Sequence, residues 1–156
     1  MHTTLEMSEK VFGIYGKSDT GKTTLIIDIV KNLTKEGFNI ASIKITNKKI
    51  GIDTKGKDTW KHAEAGSKLI VFSSPIETNF IFKKSKDLSE IIKIINQINK
   101  YDLILVEGAN DKHIPKIRIG NIEERENTIF TYSGNLKEVI EFLKTKFLGG
   151  KNDNKS

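Results

Sequence analysis

Nine consecutive residues, Gly16, Lys17, Ser18, Asp19, Thr20, Gly21, Lys22, Thr23 and Thr24, combine glycines, lysines and hydroxyls at a spacing suited to holding phosphate groups. They fit the pattern Gly-x-x-x-x-Gly-Lys-Thr, and each part has a physical task. The glycines let successive amide N–H groups turn inward to form an anion-binding nest. A helix starting at the end of the loop adds orphan donors and the partial positive charge of its N-terminus. Lys22 carries a compact cation on a flexible stem to the β- and γ-phosphates. The Thr23 hydroxyl is a hard oxygen ligand for Mg2+, and Thr24 reaches the α-phosphate. The alternative is a glycine-rich turn that caps an ordinary helix. Average residue frequencies produce the bare pattern in roughly one chain of this length in two hundred, and the setting between a strand and a helix makes it more specific.

A phosphate loop needs an acid to organise its metal. "YDLILVEG" supplies Glu107 at the end of an apolar run, where a buried strand would deliver its carboxylate to the carboxyl edge of a sheet. Gly108 could then offer its N–H toward a γ-phosphate, or the Glu-Gly pair could simply close the strand. In "GIDTKGKDTWKHAEAGS", Asp53, Lys57, Asp58 and several hydroxyls could reach a metal or substrate. The same stretch also reads as a solvated turn and a short helix with Asp58 as its N-cap. His62 reads as a surface or packing residue. The guanine-reading Asn-Lys-x-Asp is missing, since "TNKKI" lacks its aspartate, so base choice is not written in the sequence.

These residues need a scaffold to position them. "VFGIY" (11–15) reads as a buried strand, and the apolar spacing of Leu25, Ile26, Ile29, Val30 and Leu33 as a helix over 23–35 closed by Gly37. Further strands are expected at 39–45, 69–74, 77–84, 103–107, "PKIRI" and "TIFTY". Helices are expected over 88–98, opened by an Asp87/Glu90 capping box, and from Asn135 and Glu138 to near Phe147. Strands alternating with helices predict an α/β three-layer sandwich with a mostly parallel central sheet. Residues 46–56 are long for a connection. Ile50 and Ile52, spaced by two around Gly51, predict a β-ribbon extension whose apolar face is covered by a second copy of the chain. Residues 1–10 and 148–156 read as loose ends around one domain at 11–147.

Composition limits the function classes. The 156 residues contain no cysteine, which excludes disulfides, thiolate metal sites and cysteine nucleophiles. No run approaches membrane-spanning length and no leader pattern is present, so the expectation is a cytoplasmic protein without a membrane partner. The net charge of +6 comes from 26 basic and 20 acidic residues that do not cluster. Nucleic acid is therefore not expected as a partner, while an anionic small ligand is.

"GKSDTGKTTL", "GKDTWKHAEAGS", "YDLILVEG" and "HIPKIRIG" occur in the order and spacing of the molybdopterin-guanine dinucleotide biosynthesis protein B (MobB) family, which the chain resembles over residues 11–120. The resemblance implies a P-loop NTPase fold, GTP and Mg2+ binding, weak GTPase activity and a homodimer. It also implies a supporting role in attaching guanine nucleotide to molybdopterin of the molybdenum or tungsten cofactor, beside a separate guanylyltransferase. Carried over by position, Gly16–Thr24, Asp58 and Gly108 contact nucleotide. Thr23, Glu107 and Asp53 serve the metal, and Lys22 and Glu107 are the catalytic candidates. Two departures stand out. Where the family has Lys-His-x-His-His, this chain has "KITNKK", keeping only Lys44. Lys17 occupies the place of the signature lysine that partition ATPases extend across a dimer, but Ser18 and Asp19 replace the glycines usual there.

Two rival functions use the same loop. A small-molecule or nucleotide kinase should carry an arginine-rich lid, and this chain has only Arg118 and Arg125. A nucleotide-dependent adaptor that delivers soft metal should carry cysteines or clustered histidines, and it has neither.

Overall fold

The computed structural model describes residues 10–149; the ends expected to be loose fall outside that range, apart from Lys10, Leu148 and Gly149. In chain order the elements are β1 (Val11–Gly16), α1 (Lys22–Lys35), β2 (Ile40–Lys44), α2 (Asp58–Glu64), β3 (Leu69–Ser73), β4 (Thr78–Phe82), α3 (Leu88–Ile98), β5 (Leu103–Glu107), β6 (Lys116–Ile119), β7 (Thr128–Thr131) and α4 (Leu136–Phe147). The chain gathers into two compact units. One holds the residues up to Thr46 and from Ile92 onward, the other Asn47–Ile91. The second junction falls inside α3, where the sequence signals no break.

The first unit is built on a five-stranded sheet ordered β2-β5-β1-β6-β7. Every pairing in it is parallel. Residues 11–15 of β1 and all of β5 are buried, as their unbroken apolar runs require when both sheet faces are covered. Ile14 pairs with Glu107, and Gly16 with Ile119. The phosphate loop and Glu107 thus leave the sheet at the same carboxyl edge. One face carries Phe12, Ile14, Leu105 and Ile117 against Leu25, Ile29 and Leu33 of α1 and Val139 and Leu143 of α4. The Phe12 ring lies 5.8 Å from Phe142 and 5.7 Å from Phe147, edge or tilted, as aromatic quadrupoles prefer.

The helix ends follow their local sequence. In the Asp87/Glu90 capping box, Glu90 N–H donates to Asp87 Oδ1 at 2.8 Å and Asp87 N–H to Glu90 Oε2 at 3.1 Å. Asn135 Oδ1 accepts the Glu138 N–H at 3.2 Å. Among the described residues no helix is long and apolar enough to cross a membrane.

In the second unit, β3 and β4 pair antiparallel with Leu69 opposite Phe82 and Val71 opposite Phe80. The ribbon expected at residues 46–56 is therefore a correction: those residues form no strand, and the antiparallel ribbon lies at 69–82. Ile50 and Ile52 have no strand opposite them, whereas β3 and β4 offer five in-register pairs joined by a tight turn. In that turn Ser74 Oγ accepts the N–H groups of Ile76 and Glu77. Ile70 is buried on one ribbon face, while Leu69, Val71, Phe80 and Phe82 alternate onto the other and are 41–57% exposed.

Candidate functional site

β1 delivers the chain to Gly16 and α1 takes it away from Lys22. Gly16 has no room for a side chain: a Cβ would sit 2.7 Å from the Ile119 carbonyl oxygen and 2.8 Å from Thr20 Oγ1. Asp19 at φ 60° and Gly21 at φ 95° turn the loop through left-handed backbone. Thr20 Oγ1 donates to the Lys17 carbonyl at 2.7 Å and closes the turn. Gly21, at the N-cap, offers no side chain to the first N–H groups of α1, so those donors remain available to an anion. Ser18 and Thr24 are exposed at the same loop.

Lys22 Nζ donates to the carbonyls of Gly16 at 2.8 Å and Lys17 at 3.1 Å. An ammonium has three donors and no acceptor, and the loop's own carbonyls are the nearest oxygens.

On the acidic side, Glu107 ends β5 beside the phosphate loop. Thr23 Oγ1 donates to Glu107 Oε1 at 3.0 Å. Lys44 Nζ stands 3.9 Å from the same oxygen. Glu107 is only 9% exposed, so its charge is held by these neighbours rather than by bulk water. The pair suits Mg2+. Both donors are hard oxygens, and neighbouring ligands of an octahedral Mg2+ with bonds of about 2.1 Å lie about 3 Å apart. Gly108 does not play its expected part. Its N–H donates to the Ile14 carbonyl at 2.8 Å, because the sheet ladder runs one residue past Glu107 before the chain turns. Its φ is +87°, and a Cβ there would lie 2.6 Å from the Ile45 carbonyl oxygen.

Thr23 and Glu107 belong to the first unit, Asp53 and Asp58 to the second. Asp53 Oδ1 accepts the Thr54 N–H at 2.8 Å. Asp58 is the first helical residue of α2, not its N-cap; that position is Lys57, which makes no side-chain capping bond. Asp58 Oδ1 lies 3.9 Å from Lys61 Nζ at the surface. Both aspartates line a cavity of about 340 Å³ within the second unit, with Phe72, Glu77 and Asn79. Among the described residues no three His, Asp or Glu side chains gather into a metal site.

From the sequence, Lys116 had no assigned role and Arg125 counted only against an arginine-rich kinase lid. Lys116 is fully buried in β6. Its Nζ donates to the carbonyls of Asp111 and Glu126, both at 2.6 Å. Burial holds this ammonium below its ordinary pKa, partly offset by the nearby Asp111 carboxylate. Arg125 Nη1 donates to the Ala109 carbonyl at 2.6 Å, and its guanidinium lies 4.6 Å from the centre of the Tyr15 ring. Tyr15 OH accepts the Arg125 N–H and bonds Thr128 Oγ1. Two cations thus pin the segment that follows Glu107. A lysine opening a strand otherwise apolar at alternate positions was the available signal.

A five-stranded parallel sheet, a preformed Gly-Lys-Thr loop and a strand-end carboxylate on its threonine define the P-loop NTPase class. A model of the family described as molybdopterin guanine dinucleotide synthesis protein B, MobB, matches residues 11–142. The chain belongs to that family. It is 37% identical over 112 residues to a putative molybdopterin-guanine dinucleotide biosynthesis adapter protein of Methanocaldococcus jannaschii, covering 69% of this chain and 46% of that one. It is 31% identical over 109 residues to the adapter protein of that name from Haemophilus influenzae, covering 69% and 61%. The chain thus matches about half to three fifths of the length of these curated relatives. Among solved structures, Bacillus subtilis MobB superposes with a TM-score of 0.69 at 16% identity, covering 88% of this chain and 98% of that one. A second MobB crystal structure reaches 0.61 at 24% identity, covering 86% and 97%. At these identities the likeness is one of fold.

Proposed function

We propose that the chain is a GTP-binding accessory protein of molybdopterin guanine dinucleotide biosynthesis, a weak Mg2+-dependent GTPase that works in the cytoplasm as a homodimer beside a guanylyltransferase. The observation that carries the reading is the Thr23–Glu107 hydrogen bond of 3.0 Å. It couples the phosphate-loop threonine to Glu107, the one buried carboxylate among the described residues. Loop amides and the α1 N-terminus would hold the phosphates, and Lys22 would exchange its two carbonyls for phosphate oxygens. Thr23 and Glu107 would hold Mg2+, which neutralises phosphate charge when bound. Lys44 would offset the charge of Glu107 until the metal arrives. For the homodimer, the support is the exposed apolar surface of the second unit, including Ile50 at 71% and Ile52 at 94%.

The kinase alternative loses ground here. Arg118 donates to Thr131 Oγ1 and the Ile122 carbonyl, and Arg125 is bound to Ala109, so both arginines serve the fold.

Calorimetry with GTP and ATP, each with and without Mg2+, tests the reading. GTP should bind more tightly than ATP, and Mg2+ should strengthen it. Glu107→Gln should lower hydrolysis far more than affinity, because the loop amides still hold the phosphates. No GTP binding, or equal losses of both in Glu107→Gln, would overturn it.

A further inference from the structure

Asp19 stands out in the phosphate loop. It is exposed, its backbone is left-handed at φ 60°, and it forms no ion pair or side-chain hydrogen bond with any described residue. Lys22 Nζ is taken by the Gly16 and Lys17 carbonyls, and no ion pair ties the exposed Lys17 to Asp19. The backbone conformation does not require an aspartate. Glycine adopts it without cost and asparagine tolerates it as well. What aspartate adds is a negative charge, three residues before the helix that would receive the phosphates.

That charge acts with opposite sign in the empty and filled loop. With no ligand, a carboxylate beside the N-terminus of α1 complements the partial positive charge there. When phosphates arrive, they meet an anion already in that field, and like charges disfavour the complex. We propose that Asp19 sets the residence time of bound nucleotide and makes this loop a fast-exchanging, low-affinity site that releases its ligand without a separate exchange partner. The proposal rests on the nucleotide-binding reading above. At separations of about 7 Å with solvent-like screening, one unit charge acting on a doubly charged phosphate group changes affinity by about tenfold.

The test follows release of a fluorescent N-methylanthraniloyl GTP from the full chain with Mg2+, chased by excess unlabelled GTP. Wild type, Asp19→Asn and Asp19→Gly are compared. Glu123→Gln, an exposed site with the same change of net charge, serves as control. Asp19→Asn should slow release about tenfold at low salt, and Asp19→Gly at least as much. The gain should shrink toward unity at about 1 M salt, where the Debye length is about 3 Å. Glu123→Gln should release at the wild-type rate. Asp19→Asn within twofold of wild type at low salt would overturn the proposal while leaving the nucleotide reading intact. A gain that survives high salt would overturn it too, by assigning the effect to shape. If neither wild type nor either Asp19 variant binds the probe, the nucleotide reading falls and takes the proposal with it.

Discussion

The edge of the parallel sheet and the ribbon unit treat apolar residues in opposite ways. At the sheet, Val11–Tyr15 and Leu103–Glu107 are covered on both faces, and chemistry emerges only where the strands end. In Asn47–Ile91 a single ribbon face is covered, and Val71, Phe80, Ile50 and Ile52 stand largely in solvent. A sheet whose central strands are buried on both faces completes its own core and can hold Glu107 to a defined oxygen. A two-stranded ribbon cannot, because one layer has two faces and the chain covers one of them. Buried apolar packing therefore concentrates in the sheet unit, and most of the exposed large apolar side chains lie in the second.

The largest effect that tests this contrast pairs two phenylalanines. Phe12→Ala, at a position with no exposure, should cost about 3–5 kcal/mol of unfolding free energy. Phe80→Ala, 57% exposed, should cost about 0.5 kcal/mol or less. Urea unfolding of both variants measures the difference. A loss at Phe80 close to that at Phe12 would break the contrast, because it would mean the outer ribbon face is covered in solution.

Next in size is Lys116→Met, which leaves the Asp111 and Glu126 carbonyls buried without their donor. Each such group costs about 1–3 kcal/mol, and the variant regains part of this by no longer burying a charge. The pH dependence has a defined sign. The folded pKa lies below the ordinary 10.5, so between the two values the unfolded chain binds more protons. Wild-type stability relative to the Met variant should then rise with pH through that window. Unfolding at pH 7 and pH 10 in both proteins checks this, and a gap that narrows would contradict the burial of the cation.

At the loop itself, Lys22→Ala should weaken GTP binding by about 1.5–3 kcal/mol, more than tenfold, through lost charge-assisted contacts. Its ammonium also ties Gly16 to Lys17, so a small loss of thermal stability should accompany it. Unchanged affinity in a folded variant would refute the phosphate-loop assignment.

The smallest effect on folding falls in the second unit. Ile50→Asp with Ile52→Asp should leave stability nearly unchanged, since both side chains already face solvent. Light scattering should show the proposed homodimer giving way to a monomer. A variant that stays dimeric would move the contact elsewhere, with the Leu69, Val71, Phe80 and Phe82 face next in line.

Much of this was legible because it is local. The Gly16–Thr23 spacing, the helix over α1 and the Asp87/Glu90 capping box depend on residues within a turn or two of one another. Glu107 was legible because an apolar run must stop at a sheet edge. The engagement of the Gly108 N–H was not, since it depends on the ladder between β1 and β5 continuing one residue past the carboxylate. Nor were the partners of Lys116 and Arg125. Lys116 opens a strand at a register shift against β7, and Arg125 meets Tyr15 across 110 positions of sequence.

The amino-acid sequence by itself determined the Gly-x-x-x-x-Gly-Lys-Thr loop, the order of strands and helices, the Asp87/Glu90 and Asn135 caps and the family, because spacing and periodicity act over a few residues. Tertiary structure alone decided which strand pairs beside which, that residues 46–56 form no ribbon, and which oxygen each buried cation meets. Those outcomes depend on contacts between residues far apart in the chain, where many pairings satisfy the local pattern and the competition between whole packings selects one.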